Sequence, residues 1–122
     1  MDRQKLKQLK REKIHKRIRK KIFGTLERPR MYVHKTHKHM YVQFIDDTKG
    51  KTLMSISTLS KELKPKINFG GNIKAASLLG EFAAQKALLN SIKKVVLDRG
   101  PYPYHGRIKA FAEAARKGGL DF

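Results

Sequence analysis

The 122-residue sequence contains no cysteine and few acidic residues. Without cysteine it has no disulfide framework, no thiol nucleophile and no cysteine-ligated zinc or iron–sulfur site. No apolar stretch approaches the ~18 residues of a membrane span, and the charged N-terminal stretch lacks the apolar region of a secretory signal. Ten Asp and Glu stand against 29 Lys and Arg, a formal net charge of +19. We therefore expect a soluble single-domain protein whose partner is a polyanion.

The positive charge is concentrated at the N-terminus. Residues 1–23 hold 11 Lys or Arg and two acidic residues, whereas residues 31–122 hold 16 basic and seven acidic residues. The first segment is rich in helix formers, and its apolar residues form only a thin stripe. Because like charges repel along a helix, we expect one that forms fully only when phosphates neutralise it. A disordered charge run is the alternative, and the thin stripe argues against a membrane-surface helix.

Segments rich in β-branched and aromatic residues follow the linker Gly24–Pro29 and predict a small sheet. The predicted elements, in chain order, are strands at 30–35, 40–46 and 51–57, a helix from Asn72 to about Asn90, a strand at 94–98 and a helix at 107–117. The first three strands form an antiparallel meander, and the fourth is apolar enough for a buried parallel strand. The predicted fold is α/β (α+β), a mixed four-stranded sheet with two packed helices over residues 24–122, preceded by a basic helical arm over residues 1–23.

Helical spacing identifies the inward-facing side chains of the two packed helices. They are Ile73, Ala76, Gly80, Ala83, Ala84 and Leu88 in the first helix, and Ile108, Phe111, Ala112 and Ala115 in the second. A glycine inside a helix costs about 1 kcal/mol relative to alanine. We expect Gly80 to let the helix backbone lie close against the sheet.

The carboxylates do not form a convincing catalytic set. A metal-dependent nuclease needs several carboxylates that converge on divalent ions. Asp46, Asp47 and Asp98 lie at strand ends, but the first strand offers no carboxylate to complete the set. Aspartates in a hairpin turn commonly make local hydrogen bonds, and Asp98 is expected to cap its loop or to pair with Arg99 or Arg107. No catalytic residue is predicted.

The histidines and one glycine pair are weak candidates for ligand sites. His34, His37 and His39 are close in sequence, with His105 as a fourth candidate ligand. Structural zinc sites usually include cysteine, and a strand sends alternate rings into different surroundings, so no metal or cofactor is expected. These histidines instead suit stacking on bases or bonding to phosphate. Residues 70–72 open a helix and could hold an anion, but without a phosphate-loop signature they are expected to be an ordinary loop.

The loop Arg99-Gly100-Pro101-Tyr102-Pro103-Tyr104-His105-Gly106-Arg107 is the most informative segment. Its prolines limit its freedom, and aromatic rings alternate with cations. Looped or single-stranded RNA requires such flat surfaces for unstacked bases and such cations for phosphates. For Tyr102, an RNA contact and simple closure of the core remain equally good interpretations.

Several motifs together resemble one ribosomal family. They are Arg17–Thr25 (RIRKKIFGT), Glu27–Arg30, Lys38–Gln43 (KHMYVQ), Ile45–Asp47, Ser57–Leu59, Gly70–Asn72, Asp98–Arg107, Ala114–Arg116 and Gly119–Phe122. In this order they cover essentially the whole chain and resemble the bacterial form of large-subunit ribosomal protein eighteen, the 5S-rRNA-binding family. Pro101 and Pro103 depart from the family pattern, where the loop often carries less rigid residues.

The resemblance implies a fold and a function. It implies a ribonuclease-H-like domain without the active site, in a structural constituent of the large ribosomal subunit rather than an enzyme. Such a protein binds 5S rRNA and helps attach it to 23S rRNA in the central protuberance, beside large-subunit ribosomal protein five and other proteins of that region. No membrane partner, cofactor or homo-oligomer is expected. The implied location is the cytoplasmic ribosome, and an organellar ribosome remains open.

Charge, stacking and the matched positions give one set of candidate rRNA contacts. They are Arg11, Lys13, Lys16, Arg17, Arg19, Lys20, Lys21, Arg28, Arg30, His34, Lys35, Lys38, His39, Arg99, Tyr102, Tyr104, His105 and Arg107. Two rival functions are a ribonuclease-H-type enzyme and a non-specific DNA-compacting protein. The missing carboxylates argue against the first, and the aromatic loop argues against the second.

Overall fold

The computed structural model describes residues 2–122, in which three α-helices and a short 3-10 helix accompany one four-stranded sheet. The elements are α1 (Arg3–Arg19), β1 (Arg30–Lys35), β2 (Met40–Asp46), β3 (Lys51–Ser57), the 3-10 helix (Lys64–Lys66), α2 (Ile73–Leu89), β4 (Val96–Asp98) and α3 (Arg107–Lys117). The predicted order of helices and strands and the α+β class are confirmed. None of these helices is long and apolar enough to cross a membrane.

The sheet is mixed, with the strand order β3-β2-β1-β4. β1 pairs antiparallel with β2, β2 pairs antiparallel with β3, and β4 runs parallel to β1. β4 is shorter than predicted, because Lys94 makes only an isolated bridge to Asp121. It is also less buried than predicted: Val96 and Leu97 are half-buried, since β4 is an edge strand with one neighbour.

Alternation along the strands divides the sheet into two different faces. Met31 and Val33 of β1 and Val42 and Phe44 of β2 are fully buried against the helices α2 and α3. The side chains between them point to the opposite side, where neither α2 nor α3 lies. We call that side the open face.

The two packed helices lie close to each other and share one buried core with the sheet. The buried residues of α2 are Ala75, Ala76, Leu79, Gly80, Ala83, Ala84 and Ala87, and those of α3 are Ile108, Phe111, Ala112 and Ala115. The α3 prediction is therefore confirmed. In α2 the prediction was wrong at both ends, where Ile73 and Leu88 are exposed. The buried side of α2 instead follows a line of mostly small residues, which lets α3 lie close.

Gly80 lets α2 lie close to α3, whereas the sequence predicted a close approach to the sheet. A Cβ atom at this position would overlap the carbonyl oxygen of Phe111 and lie 2.9 Å from the Cβ of Ala114. Both residues belong to α3. The missing side chain therefore brings α2 and α3 together, and the helix pair as a unit covers the buried face.

The basic arm forms a helix, α1, whose N-terminus is capped by Asp2: the carboxylate accepts a hydrogen bond of 2.7 Å from the amide of Lys5. No residue of α1 is buried. The predicted helix is confirmed for Arg3–Arg19, and its dependence on phosphate stays a prediction. The segment after it is less free than the predicted linker, because Gly24 is buried and a Cβ there would overlap the main chain of Arg30.

Candidate nucleic-acid interface

A guanidinium between two carboxylates lies at the junction of β1, β2 and β4. Arg30 donates from Nε and Nη2 to Asp47 at 2.9 and 3.1 Å, and from Nη1 to Asp98 at 2.7 Å. The parallel register of β1 and β4 puts Arg30 and Asp98 on the same face of the sheet. With its side chain 11 % exposed, Arg30 is held inside the protein. Arg30 was predicted to contact rRNA. In the structure its guanidinium is paired with two carboxylates, so it is not a free cation.

The electrostatics of this junction are strongly coupled. Burial lowers the pKa of Arg30, but its hydrogen bonds to Asp47 and Asp98 outweigh that effect and raise the pKa overall. The hydrogen bond from Arg30 lowers the pKa of Asp47, helped by the amide of Gly24 and the charge of Arg19 against the effect of burial. Asp98 also accepts the amide of Gly100 at 2.9 Å. Asp98 thus caps its loop as predicted, but its ion-pair partner is Arg30 rather than Arg99 or Arg107.

The same two carboxylates hold α1 against the domain. His15 of α1 lies 3.3 Å from Asp98 through its Nε2 and stacks on the ring of Tyr32, with centroids 5.4 Å apart and planes 15° apart. Arg19 lies 3.4 Å from Asp47. We call these contacts, centred on Arg30, the joint. They dock the arm mainly through polar and stacking contacts, since no residue of α1 is fully buried and its apolar Ile18 is half-buried.

Lys35, at the end of β1, is close enough to two cations of other elements for their charges to affect it. Lys35 of β1 has a lowered pKa, first because of burial and then because of the charges of Arg107 and Arg11. Arg107 begins α3, and its buried Nη1 has no hydrogen-bond partner within residues 2–122. No carboxylate pairs with these three side chains in that part of the chain. We call Arg11, Lys35 and Arg107 the cation corner, an arrangement that an anion would stabilise.

The loop 99–107 is braced from within. Arg99 donates from Nη1 to the carbonyl oxygen of Tyr102 at 2.6 Å. The hydroxyl of Tyr102 donates to the carbonyl oxygen of Lys35 at 3.3 Å and lies 3.2 Å from the Nδ1 of His34. The ring of Tyr102 packs against the core and lies under the ammonium group of Lys35, 5.2 Å from its centroid. Tyr102 therefore positions the loop against β1.

The other members of the loop and the turn before β2 are more accessible. Tyr104 and His105 are exposed, and the hydroxyl of Tyr104 accepts a hydrogen bond of 3.3 Å from Arg116. In the turn, Lys38 is exposed, and the Nδ1 of His39 lies 3.0 Å from the hydroxyl of Thr58. These side chains leave hydrogen-bonding groups accessible on the loop and on the turn.

The remaining predicted contacts form an exposed surface along the arm and the segment after it. Those residues are Lys13, Lys16, Arg17, Lys20, Lys21 and Arg28. Arg28 lies 3.7 Å from Asp121, both with well-exposed side chains. Exposed cations of this kind bind phosphates without fixing a geometry.

The open face carries His34, which was predicted as an rRNA contact, together with four side chains that were not predicted. Tyr32 and His34 of β1, Tyr41 and Gln43 of β2 and Ser55 of β3 line an open pocket of about 340 Å³. Their alternation with the buried Met31 and Val33 was visible in the sequence, and it could have identified them. Neither this face nor any other part of residues 2–122 gathers three or more histidine, aspartate or glutamate side chains in a metal-binding arrangement.

Comparisons with known proteins identify the family of the chain. Residues 5–122 match the family model described as "Ribosomal L18 of archaea, bacteria, mitoch. and chloroplast". The chain is 56% identical over 108 residues to the large ribosomal subunit protein uL18 of Acetivibrio thermocellus, covering 88% of each chain. It is 55% identical over 112 residues to the protein of the same name from Pelotomaculum thermopropionicum, covering 92% of each. The chain therefore belongs to the ribosomal protein L18 family, whose members are structural components of the large ribosomal subunit and not enzymes.

Proposed function

We propose that this chain binds 5S rRNA and helps attach it to 23S rRNA in the central protuberance of the large subunit. The observation that carries the proposal is the cation corner. Arg107 is half-buried, has a guanidinium nitrogen without a partner in residues 2–122, and like Lys35 and Arg11 pairs with no carboxylate there, so these cations form a site for an anion that brings its own acceptors. An RNA phosphate provides both the charge and the oxygen atoms.

The arm and the domain have different parts in this binding. The exposed cations of α1 neutralise several phosphates and release counterions, which gives affinity with little dependence on sequence. The cation corner, the turn before β2 and the loop 99–107 hold fewer charges in fixed positions, which suits one particular RNA shape. We also propose that residues 1–23 and 24–122 act as an arm and an independently folded domain.

The protein works in the cytoplasmic ribosome, with 23S rRNA, large-subunit ribosomal protein five and other proteins of the central protuberance as further partners. Family membership supports this location and the RNA and protein partners. An organellar ribosome is the alternative location, since the family includes mitochondrial and chloroplast proteins.

A competition experiment tests the proposal. Labelled 5S rRNA is bound to the full chain and challenged with unlabelled duplex DNA and with a fully paired RNA duplex of the same length, at ~0.2 M salt, where binding by charge alone is weak. We expect 5S rRNA to compete at least tenfold better than either duplex. Equal competition by all three would contradict the proposal and favour a non-specific nucleic-acid-binding protein.

A further inference from the structure

We propose that the open face of the sheet holds one unpaired nucleobase, in the pocket lined by Tyr32, His34, Tyr41, Gln43 and Ser55. This inference rests on the proposed RNA-binding function. It adds a second recognition site, separate from the cation corner, that contacts a base and no phosphate.

The strand register places the pocket residues in two rows across the sheet. Tyr32 of β1 lies opposite Gln43 of β2, which lies opposite Ser55 of β3. In the next row of the same face, His34 lies opposite Tyr41. The pocket is therefore fixed by backbone hydrogen bonds between strands, and RNA would find it already formed.

The rings of this face form a connected series. Tyr32 and His34 have centroids 6.5 Å apart and planes at 15°, and His34 and Tyr41 have centroids 6.1 Å apart and planes at 33°. At the other end, His15 of α1 stacks on Tyr32. Flat rings with one accessible side on an open sheet are the surfaces on which proteins stack unpaired bases.

Gln43 and Ser55, in the same row as Tyr32, can hydrogen-bond to the edge of a stacked base. The carboxamide of Gln43 offers both a donor and an acceptor, and the hydroxyl of Ser55 offers the same pair. Both side chains are exposed, and neither makes a hydrogen bond within the part of the chain that the structure describes. They lie in the row that begins with Tyr32, so a base on the rings would bring its polar edge over them.

The surroundings of the pocket favour a nucleobase over an apolar protein segment. All five lining residues are aromatic or polar, and none is aliphatic or acidic. The guanidinium of Arg30 lies 5.9 Å from the centroid of Tyr32, and the strongly basic α1 borders the same side through His15. A base brought here carries a phosphate on each side, and the exposed cations of α1 attract that backbone.

Variants of Tyr41 and Gln43 test the pocket in the full chain. Tyr41→Leu removes the ring but keeps an apolar side chain, Tyr41→Phe keeps the ring, and Gln43→Ala removes the exposed amide. We expect Tyr41→Leu to weaken binding to 5S rRNA about 5- to 100-fold, as loss of one stacked base does. Tyr41→Phe should bind within about twofold of the original chain, and Gln43→Ala should bind about 5-fold more weakly. Thr52→Ala, at an exposed position of β3 outside the pocket, is the matched control and should have no effect.

Two readouts separate a base pocket from a structural role. The fully paired RNA duplex has no free base, so its binding by Tyr41→Leu and Gln43→Ala should be unchanged, and the salt dependence should stay the same because no phosphate contact is lost. Ultraviolet crosslinking of the original chain to 5S rRNA should attach a nucleotide to the peptide that contains Tyr32 or to the one that contains Tyr41. A thermal melt checks that each variant is folded. If Tyr41→Leu does not fold, the Gln43→Ala variant tests the pocket by itself.

The outcomes distinguish this inference from the proposed function. If the original chain prefers 5S rRNA but Tyr41→Leu and Gln43→Ala bind it equally well, the pocket proposal is wrong and the function stands. Equal weakening on 5S rRNA and on the duplex also overturns the pocket, because it shows a general structural effect. If the original chain shows no preference for 5S rRNA, both proposals fail.

Discussion

The arm and residues 31–122 of the folded domain carry the same net charge and use it differently. Residues 1–23 and residues 31–122 each have a net charge of +9, although the second region is four times as long. In α1 no residue is buried, and the charge lies on exposed side chains. In the domain, Arg30 forms internal ion pairs with Asp47 and Asp98. Lys35 and Arg107 belong to the cation corner. Net charge therefore predicts the class of partner, whereas placement of the charges determines how selective the binding is.

Removing the arm should have the largest effect on RNA binding and on its salt dependence. If α1 neutralises about 6–8 phosphates, deleting residues 1–22 should flatten the slope of log K against log[salt] by about 4 to 7. The free energy of unfolding should fall by no more than about 1 kcal/mol, since His15 and Arg19 are each about a third exposed and Arg30 still pairs with Asp47 and Asp98 when the arm is gone. Filter binding at several salt concentrations and urea unfolding measure the two quantities. An unchanged slope would show that α1 does not neutralise RNA phosphates.

Breaking the joint at Asp98 should cost stability. Asp98→Asn leaves Arg30 with one carboxylate and His15 without its partner, and loss of one member of a buried ion pair costs about 3 kcal/mol. Asp121→Asn is the matched control, because its pairing with Arg28 is exposed and should be worth less than about 1 kcal/mol. Urea unfolding at pH 7 compares the two. Equal small losses would show that the joint does not stabilise the fold.

The pH dependence of stability tests whether the pairing of Asp47 with Arg30 stabilises the fold. Its pKa is lowered in the folded protein, mainly by Arg30, so folding favours the charged carboxylate. Its contribution should be complete above the ordinary Asp pKa of about 3.9 and disappear as pH falls through the lower folded value. Asp47→Asn should therefore cost about 2 kcal/mol at pH 7, and the difference from the original chain should shrink below about pH 4. A difference that grows as pH falls would contradict this account.

A change at the cation corner should be the smallest and the most selective. Arg107→Ala should weaken 5S rRNA binding about tenfold, the usual value of one charge-assisted contact, and weaken random RNA less. Its Nη1 has no partner within residues 2–122, so the substitution leaves no other group unpaired and the fold should remain stable. Lys109→Ala, an exposed position of the same helix, is the control. Equal losses on both RNAs would reduce Arg107 to a general phosphate contact.

Local patterns predicted the fold well. The bounds of β1, β2, β3 and α3 match, because period-2 alternation and turn residues act within a few positions of the chain. The errors concern packing between distant elements. The exposed Ile73 and Leu88 and the contact of Gly80 with α3 depend on where a second helix lies, and spacing along one helix does not contain that information.

The site was only partly predictable for a similar reason. Residue type correctly identified a region rich in cations and rings. It did not distinguish Arg30, which is held between two aspartates 17 and 68 positions away, from Arg107, whose buried nitrogen is unpaired. Tyr41 and Gln43 were missed because alternation along β2 shows only that they point away from the core, and not which residues lie beside them. They matter only when the register sets them beside β1 on the open face.

The most direct test of the central claim uses the chain without residues 1–22. It measures the ratio of the affinity for 5S rRNA to that for a fully paired RNA duplex of the same length, alongside the ratio for the full chain. The account predicts weaker binding to both RNAs, a flatter salt dependence and a ratio that stays within about threefold of the full-chain value, because the domain selects the RNA and the arm attracts it. A ratio that falls to one when the arm is removed would contradict it.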